Sequence, residues 1–135
     1  MIDLYTWHTP NGRKVSIMLE EIGMDYNVHS INIAKDEQFQ PHFLEVSPNN
    51  RIPAIVDKDN NNYSLFESGA ILMYLAEKSG KLINKSNSDE YFRTIEWLMW
   101  QMGGVGPMFG QVHHFVKYNK GKSAYAEERY SKEAR

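Results

Sequence analysis

The order of elements in this sequence predicts an α/β domain, βαβαββα, followed by the start of an all-helical domain. Two observations carry that expectation. Short alternating runs rich in strand formers, at 2–7, 25–33, 54–56 and 63–66, are separated by stretches whose apolar residues repeat at helical spacing. Past a polar stretch at 81–88 the strand signal disappears, and Tyr91, Ile95, Leu98, Met102 and Val105 form one long helical stripe. The expected divisions are an α/β domain over 1–80, a linker over 81–88 and part of a helical domain over 89–135.

Ile2-Asp3-Leu4-Tyr5-Thr6-Trp7 alternates as a first strand should. His8-Thr9-Pro10-Asn11-Gly12 has turn chemistry. Val15, Met18, Leu19 and Ile22 then recur at i, i+3, i+4 and i+7, an amphipathic helix closed by Gly23. In 25–33 the alternation of Tyr26, Val28, Ile31 and Ile33 slips near Ser30, which predicts a bulge or bend in a second strand. A short helix is expected over 38–46, with Pro41 in its first turn and Phe39 and Phe43 on one face. Ala54-Ile55-Val56 and Tyr63-Ser64-Leu65-Phe66 flank the turn-prone run 57–62, a hairpin signal. From Ser68, Ile71, Leu72 and Leu75 mark a third helix that stops at Ser79-Gly80.

In the helical part, Asn87 or Ser88 is placed to cap the long helix. Gly103-Gly104-Val105-Gly106-Pro107 should bend or interrupt it, and 125–135 should be helical again with a Glu128–Lys132 pair. No Gly or Asn stops that last helix, so the chain is expected to be cut in mid-element.

Composition narrows the function. Lys+Arg number 15 against Asp+Glu 17, a net charge of −2, so the basic footprint of a nucleic-acid binder is missing. No apolar run approaches the roughly 18–20 residues of a membrane span, and a soluble chain with no membrane partner is expected. There is no cysteine. Disulfides, thiolate metal sites and a Cys nucleophile are therefore excluded, which fits a cytoplasmic location, and any thiol chemistry must arrive with a ligand.

Three stretches are candidates for chemistry. Thr9-Pro10-Asn11-Gly12 lies between a strand and a helix start: its side chains either cap free N–H groups or, with the helix dipole, stabilise an anion such as a thiolate. Ser47-Pro48-Asn49-Asn50-Arg51-Ile52-Pro53 runs into a strand. A cis Pro53 there would leave the Ile52 backbone open to an extended ligand, with Arg51 as a fork for a carboxylate; the alternative is a trans bond beside a solvated arginine. Glu67-Ser68 either serves the helix dipole and cap or takes the ammonium and carboxylate of an amino-acid head group. Together the stretches suit a small, charged, peptide-like ligand. His113-His114 tempts a metal reading, but helix neighbours point about 100° apart. Metal pairs use i, i+3 or i, i+4, so these two are read as structural and no metal is expected.

Asn50-Arg51-Ile52-Pro53-Ala54-Ile55 and Phe66-Glu67-Ser68-Gly69-Ala70-Ile71, in this order of elements, strongly resemble the glutathione transferase superfamily. Residues 5–12, Ser47-Pro48-Asn49-Asn50, Leu75-Ala76-Glu77-Lys78 and 100–108 are similar to its nu class, the bacterial disulfide-bond oxidoreductases. The resemblance implies a thioredoxin-like first domain with a mixed four-stranded sheet, glutathione as cosubstrate, and a homodimer acting on small-molecule or mixed disulfides. It implies that Ile52, before a cis Pro53, pairs with the cysteinyl part of glutathione. It further implies that Glu67 and Ser68 hold the γ-glutamyl head and that Gln38, Asn50 and Arg51 surround the glycyl end. Thr9 and Asn11 would face the sulfur as the catalytic pair, and Arg129 would reach the bound glutathione. The class often has Lys where this chain has Arg51, which keeps the charge. Disulfide reduction leads the expected reactions, with peroxide reduction beside it. Conjugation of glutathione to electrophiles, or glutathione binding without catalysis in a truncated chain, are the alternatives.

Overall fold

The computed structural model describes residues 1–135 as two compact units, Met1–Ser86 and Asn87–Arg135. In the first, strand β1 (Ile2–Thr6) leads into helix α1 (Pro10–Ile22) and strand β2 (Tyr26–Ser30). The short helix α2 (Pro41–Leu44), the hairpin strands β3 (Ala54–Asp57) and β4 (Tyr63–Phe66), and helix α3 (Ser68–Ser79) follow. The sheet order is β2-β1-β3-β4, with β1 parallel to β2, antiparallel to β3, and β3 antiparallel to β4. This is the mixed four-stranded sheet of a thioredoxin-like domain.

The pleat divides the core. Ile2 and Leu4 of β1 and Ile55 of β3 point to the face covered by α1 and α3, where Val15, Met18, Leu19 and Ile22 meet Ile71, Leu75 and Ala76. Ile31, Phe43 and Ala54 form a smaller cluster, with Tyr5, Val46, Ile52 and Phe66 packed against it. Both long helices close as their sequences predict: Gly23 and Gly80 adopt the left-handed conformation at the C-caps.

Two local expectations are corrected. β2 has no bulge; it ends at Ser30, and a 3₁₀ turn, Ile33–Lys35, begins beyond it. Asn32 diverts the chain, its Oδ1 accepting the Ala34 N–H at 3.0 Å while its own N–H goes to the Glu37 carboxylate at 2.6 Å. The helix expected over 38–46 is split into a 3₁₀ turn, Glu37–Phe39, and α2. Pro41 explains the break: it has no N–H to continue the first turn, and the residue before it, Gln40, is extended (φ −70, ψ 141).

The second unit is helical. α4 (Ser88–Trp100) is capped by Asn87, whose Oδ1 accepts the N–H groups of Asp89 at 3.1 Å and Glu90 at 3.3 Å. Asn87→Ala should cost about 1 kcal/mol of α4 stability, read as faster amide exchange in its first turns. The glycine-rich run widens the helix into a π stretch over Gln101–Val105, continued by α5 (Gly106–Val112) and a second π stretch over His113–Tyr118. α6 (Ala124–Glu133) carries the expected Glu128–Lys132 pair. No helix is long and apolar enough to cross a membrane.

Candidate functional site

Strand directions decide where the polar candidates meet. β4 is antiparallel to β3, which is antiparallel to β1, so β4 runs with β1. The C-terminal ends of β1, β2 and β4 and the N-terminal end of β3 therefore share one edge of the sheet. Tyr5, Ala54 and Phe66 form a row across it, and Thr6 pairs with Ser30. Residues 7–12, 47–53 and 67–68 leave the sheet from that row.

At the start of α1, Thr9 is the cap: its Oγ1 accepts the Gly12 N–H at 3.1 Å. The Thr9 hydroxyl proton remains available to donate, since a hydroxyl can do both. Pro10 has no N–H, and the Arg13 N–H bonds to the Thr9 carbonyl at 3.1 Å. Asn11, exposed in the same turn, is left with its backbone N–H and side-chain amide unbonded within the chain. Gly12 lets the helix come this close. A Cβ there would stand 2.3 Å from Thr6 Oγ1 and 2.6 Å from the Trp7 carbonyl oxygen.

Opposite it, buried Ser47 shapes the turn before β3. Its hydroxyl donates to the Arg51 carbonyl at 2.8 Å, and its carbonyl accepts the Asn50 N–H at 2.9 Å, with Asn50 at φ 48. The Ile52–Pro53 bond is cis. Neither the N–H nor the C=O of half-buried Ile52 is bonded within the chain. Arg51 is exposed and makes no ion pair.

Glu67 joins β4 to α3 in a conformation that non-glycine residues rarely adopt, φ 71 and ψ 112, which costs of order 1–3 kcal/mol. Its carbonyl starts the helix by accepting the Ile71 N–H at 2.9 Å, but its side chain does not cap. The carboxylate stands exposed, with Asn49 Nδ2 donating to Oε1 at a long 3.5 Å. Ser68, the first helical residue, is buried, and the N–H groups of Gly69 and Ala70 behind it have no partner. An anion is favoured at that helix start and a cation at the carboxylate beside it.

A family model for the glutathione S-transferase N-terminal domain matches residues 1–77, more than half of the chain. The chain belongs to the glutathione S-transferase family. The disulfide-bond oxidoreductase YfcG of Escherichia coli K12 is 50% identical to this family member over 137 residues, covering 98% of the chain and 63% of the relative. A glutathione transferase family member of Pseudomonas fluorescens pf-5, solved with two glutathione bound, superposes with a TM-score of 0.93 at 52% identity, over 98% of this chain and 60% of that one. A glutathione transferase of Pseudomonas putida, solved with one glutathione disulfide bound per subunit, gives a TM-score of 0.90 at 47% identity, over 98% and 60%. This transferase-family chain thus spans about three-fifths of the length of these relatives.

Within the family member, Thr9, Asn11, Asn50, Arg51, Ile52, Pro53, Glu67 and Ser68 are gathered at one edge of the first unit. Gln38 lies in the 3₁₀ turn after β2 and bonds to none of them; its Nε2 contacts Asp36 Oδ1 at 3.5 Å, and its Oε1 is buried without a partner. Arg129 is on α6 of the second unit, exposed and unpaired. Sequence reasoning missed the parts that Asn49 and Gly12 play at the edge. Both stand inside stretches already singled out, but the part of Gly12 depends on Thr6 and Trp7, which the fold brings against it.

Proposed function

We propose that this chain binds glutathione at the sheet edge and uses its thiolate to reduce disulfide bonds. The observation that carries the reading is the unbonded Ile52 backbone standing across from Glu67 and the open start of α3. An extended γ-glutamyl peptide offers what this edge lacks. Its ammonium suits the Glu67 carboxylate, and its α-carboxylate suits the Ser68 hydroxyl and the α3 N–H groups. Its cysteinyl backbone suits Ile52, and its glycyl carboxylate suits Arg51, with Asn50 and Gln38 beside it. The names and bound ligands of the relatives support the same choice.

With no protein cysteine, the nucleophile is the ligand's sulfur. The helix dipole at α1, the Asn11 donors and the Thr9 hydroxyl favour the thiolate over the thiol. The thiolate attacks one sulfur of a substrate disulfide, that S–S bond breaks, and the departing thiolate takes up a proton. A second glutathione thiolate then attacks the glutathione sulfur of the mixed disulfide. The substrate disulfide has gained two electrons and left as two thiols, and two glutathiones have become glutathione disulfide. Small-molecule and mixed disulfides as substrates, a homodimer, a cytoplasmic location and a contact from Arg129 to the ligand belong to this same reading.

The structure separates the two catalytic candidates. Thr9→Ala also removes the α1 cap, at about 1 kcal/mol, whereas Asn11→Ala leaves it in place. Asn11→Ala should lower disulfide turnover by roughly tenfold to a hundredfold while glutathione affinity changes by less than about threefold. Equal losses of turnover and affinity would sink the role given to Asn11. Faster conjugation of a chloronitrobenzene than disulfide reduction would favour the transferase reaction instead.

A further inference from the structure

The peptide that offers the Ile52 N–H to a ligand is fixed from inside the first unit. Ser47 is fully buried, and its backbone is anchored at both ends. Its N–H donates to the Phe43 carbonyl at 2.8 Å, and its carbonyl accepts the Asn50 N–H at 2.9 Å. Phe43 is itself fully buried in the smaller core cluster. From that fixed place the Ser47 hydroxyl donates to the Arg51 carbonyl at 2.8 Å. No backbone N–H bonds to the Arg51 carbonyl, and the sheet begins only at Ala54, so the hydroxyl is what orients this peptide. The cis bond is the next one, Ile52–Pro53; the Arg51–Ile52 peptide is trans. In a trans peptide the C=O and the N–H that follows lie in one plane and point opposite ways. With the Arg51 carbonyl drawn toward Ser47, the Ile52 N–H points away from it, and it has no partner in the chain.

We propose that Ser47 is a positioning residue, a role that rests on the glutathione reading. Its hydroxyl holds the Arg51–Ile52 peptide in the orientation that presents the Ile52 N–H to the cysteinyl carbonyl of the ligand. Ser47 touches neither the ligand nor the reacting sulfur; it acts through Ile52. Without the hydroxyl, the Arg51 carbonyl loses its donor and turns toward water, and the Ile52 N–H turns inward with it. The Ile52 carbonyl belongs to the following peptide and stays open to the cysteinyl N–H. The effect of Ser47 is therefore confined to ligands that carry the cysteinyl carbonyl.

Calorimetric titration of the full chain with glutathione and with γ-glutamylcysteamine, which lacks the cysteinyl carbonyl and the glycine, tests that restriction. Ser47→Ala should weaken glutathione binding by about fivefold to tenfold, the worth of one neutral hydrogen bond, and leave the analogue within about twofold of wild type. The same factor should persist for glutathione in an Arg51→Met background, which separates the Ile52 N–H from the glycyl end. By nuclear magnetic resonance, the wild-type Ile52 amide should exchange freely in the unliganded chain and be protected once glutathione binds; Ser47→Ala should lose that protection. If Ser47→Ala does not fold, as judged by circular dichroism, the wild-type exchange decides. An Ile52 amide protected before glutathione is added, or unprotected after, overturns the proposal. So does unchanged glutathione affinity in Ser47→Ala, or equal loss for both ligands, and either leaves the function reading in place. Absence of glutathione binding by the wild-type chain overturns the function reading and this proposal with it.

Discussion

Replacing Asp57 with alanine is expected to destabilise the first unit by about 3 kcal/mol and lower its melting temperature by roughly 15 °C. Asp57 ends β3 and is fully buried. Its carboxylate pairs with Lys78 Nζ at 2.8 Å, accepts the Tyr74 hydroxyl at 2.5 Å and takes the Asp59 N–H at 3.0 Å. One side chain thereby holds the first turn of the β3–β4 hairpin and the C-terminal half of α3. Removing it strands a tyrosine hydroxyl and a lysine together. Lys78 keeps 29% of its side chain exposed and can turn to water, so the loss falls at the low end for a broken buried pair. Urea unfolding followed through Trp7 measures it; a change under about 0.5 kcal/mol would show that the network contributes nothing.

The same carboxyl sets a direction with pH. Burial alone would raise its pKa, but the bonds from Lys78, Tyr74 and the Asp59 N–H outweigh burial and hold it below the ordinary 3.8. The buried Asp3 carboxyl is likewise held below that value, by Asn27, Lys58 and His29 against its own burial. As the pH falls, the unfolded chain takes up these protons first. The stabilisation is therefore complete at neutral pH, begins to fade near pH 4, and is lost once the pH passes the lower folded values. Asp57→Asn should flatten this acid limb, by at most about 1.4 kcal/mol per pH unit.

Asp57 also marks the boundary of what the sequence can show. Its strand, the hairpin and α3 were all legible, because Ala54-Ile55-Val56 and Ile71-Leu72-Leu75 carry periods that depend only on near neighbours. The aspartate itself reads as the first residue of a polar turn. That it is buried follows from Tyr74 and Lys78, seventeen and twenty-one positions away, one helical turn apart on α3. Val28 fails in the opposite way. Its alternation with Tyr26 promises an inward face, yet β2 is an edge strand and Val28 lies 58% exposed. At the candidate site, the residue types and turns were readable: Glu67 before α3 and Thr9 at the start of α1, while the residues left the Ile52–Pro53 bond open and only the family resemblance implied that it is cis. The crowding around Gly12 was not, since it needs the register of one element against another.

Gly12→Ala is the substitution expected to damage the site most. The new methyl would lie within 2.6 Å of the Trp7 carbonyl oxygen, a backbone atom that already accepts the Thr9 N–H at 2.7 Å. Thr6 can rotate its hydroxyl away, but the carbonyl cannot yield without reshaping the turn over 7–9. The alternative is for the first turn of α1 to lift off β1. Either movement disturbs the Thr9–Gly12 cap and displaces the Asn11 donors. Alanine's better helix propensity returns about 1 kcal/mol, against an overpacking cost of roughly 1–3 kcal/mol or more, so stability falls modestly. Function should fall further, because displacing a donor by about 1 Å costs on the order of a hundredfold in rate. Gly110→Ala is the control: a Cβ there meets nothing within 4 Å on α5, and stability should hold or rise. Wild-type disulfide turnover in Gly12→Ala would mean that the start of α1 does not position the thiolate.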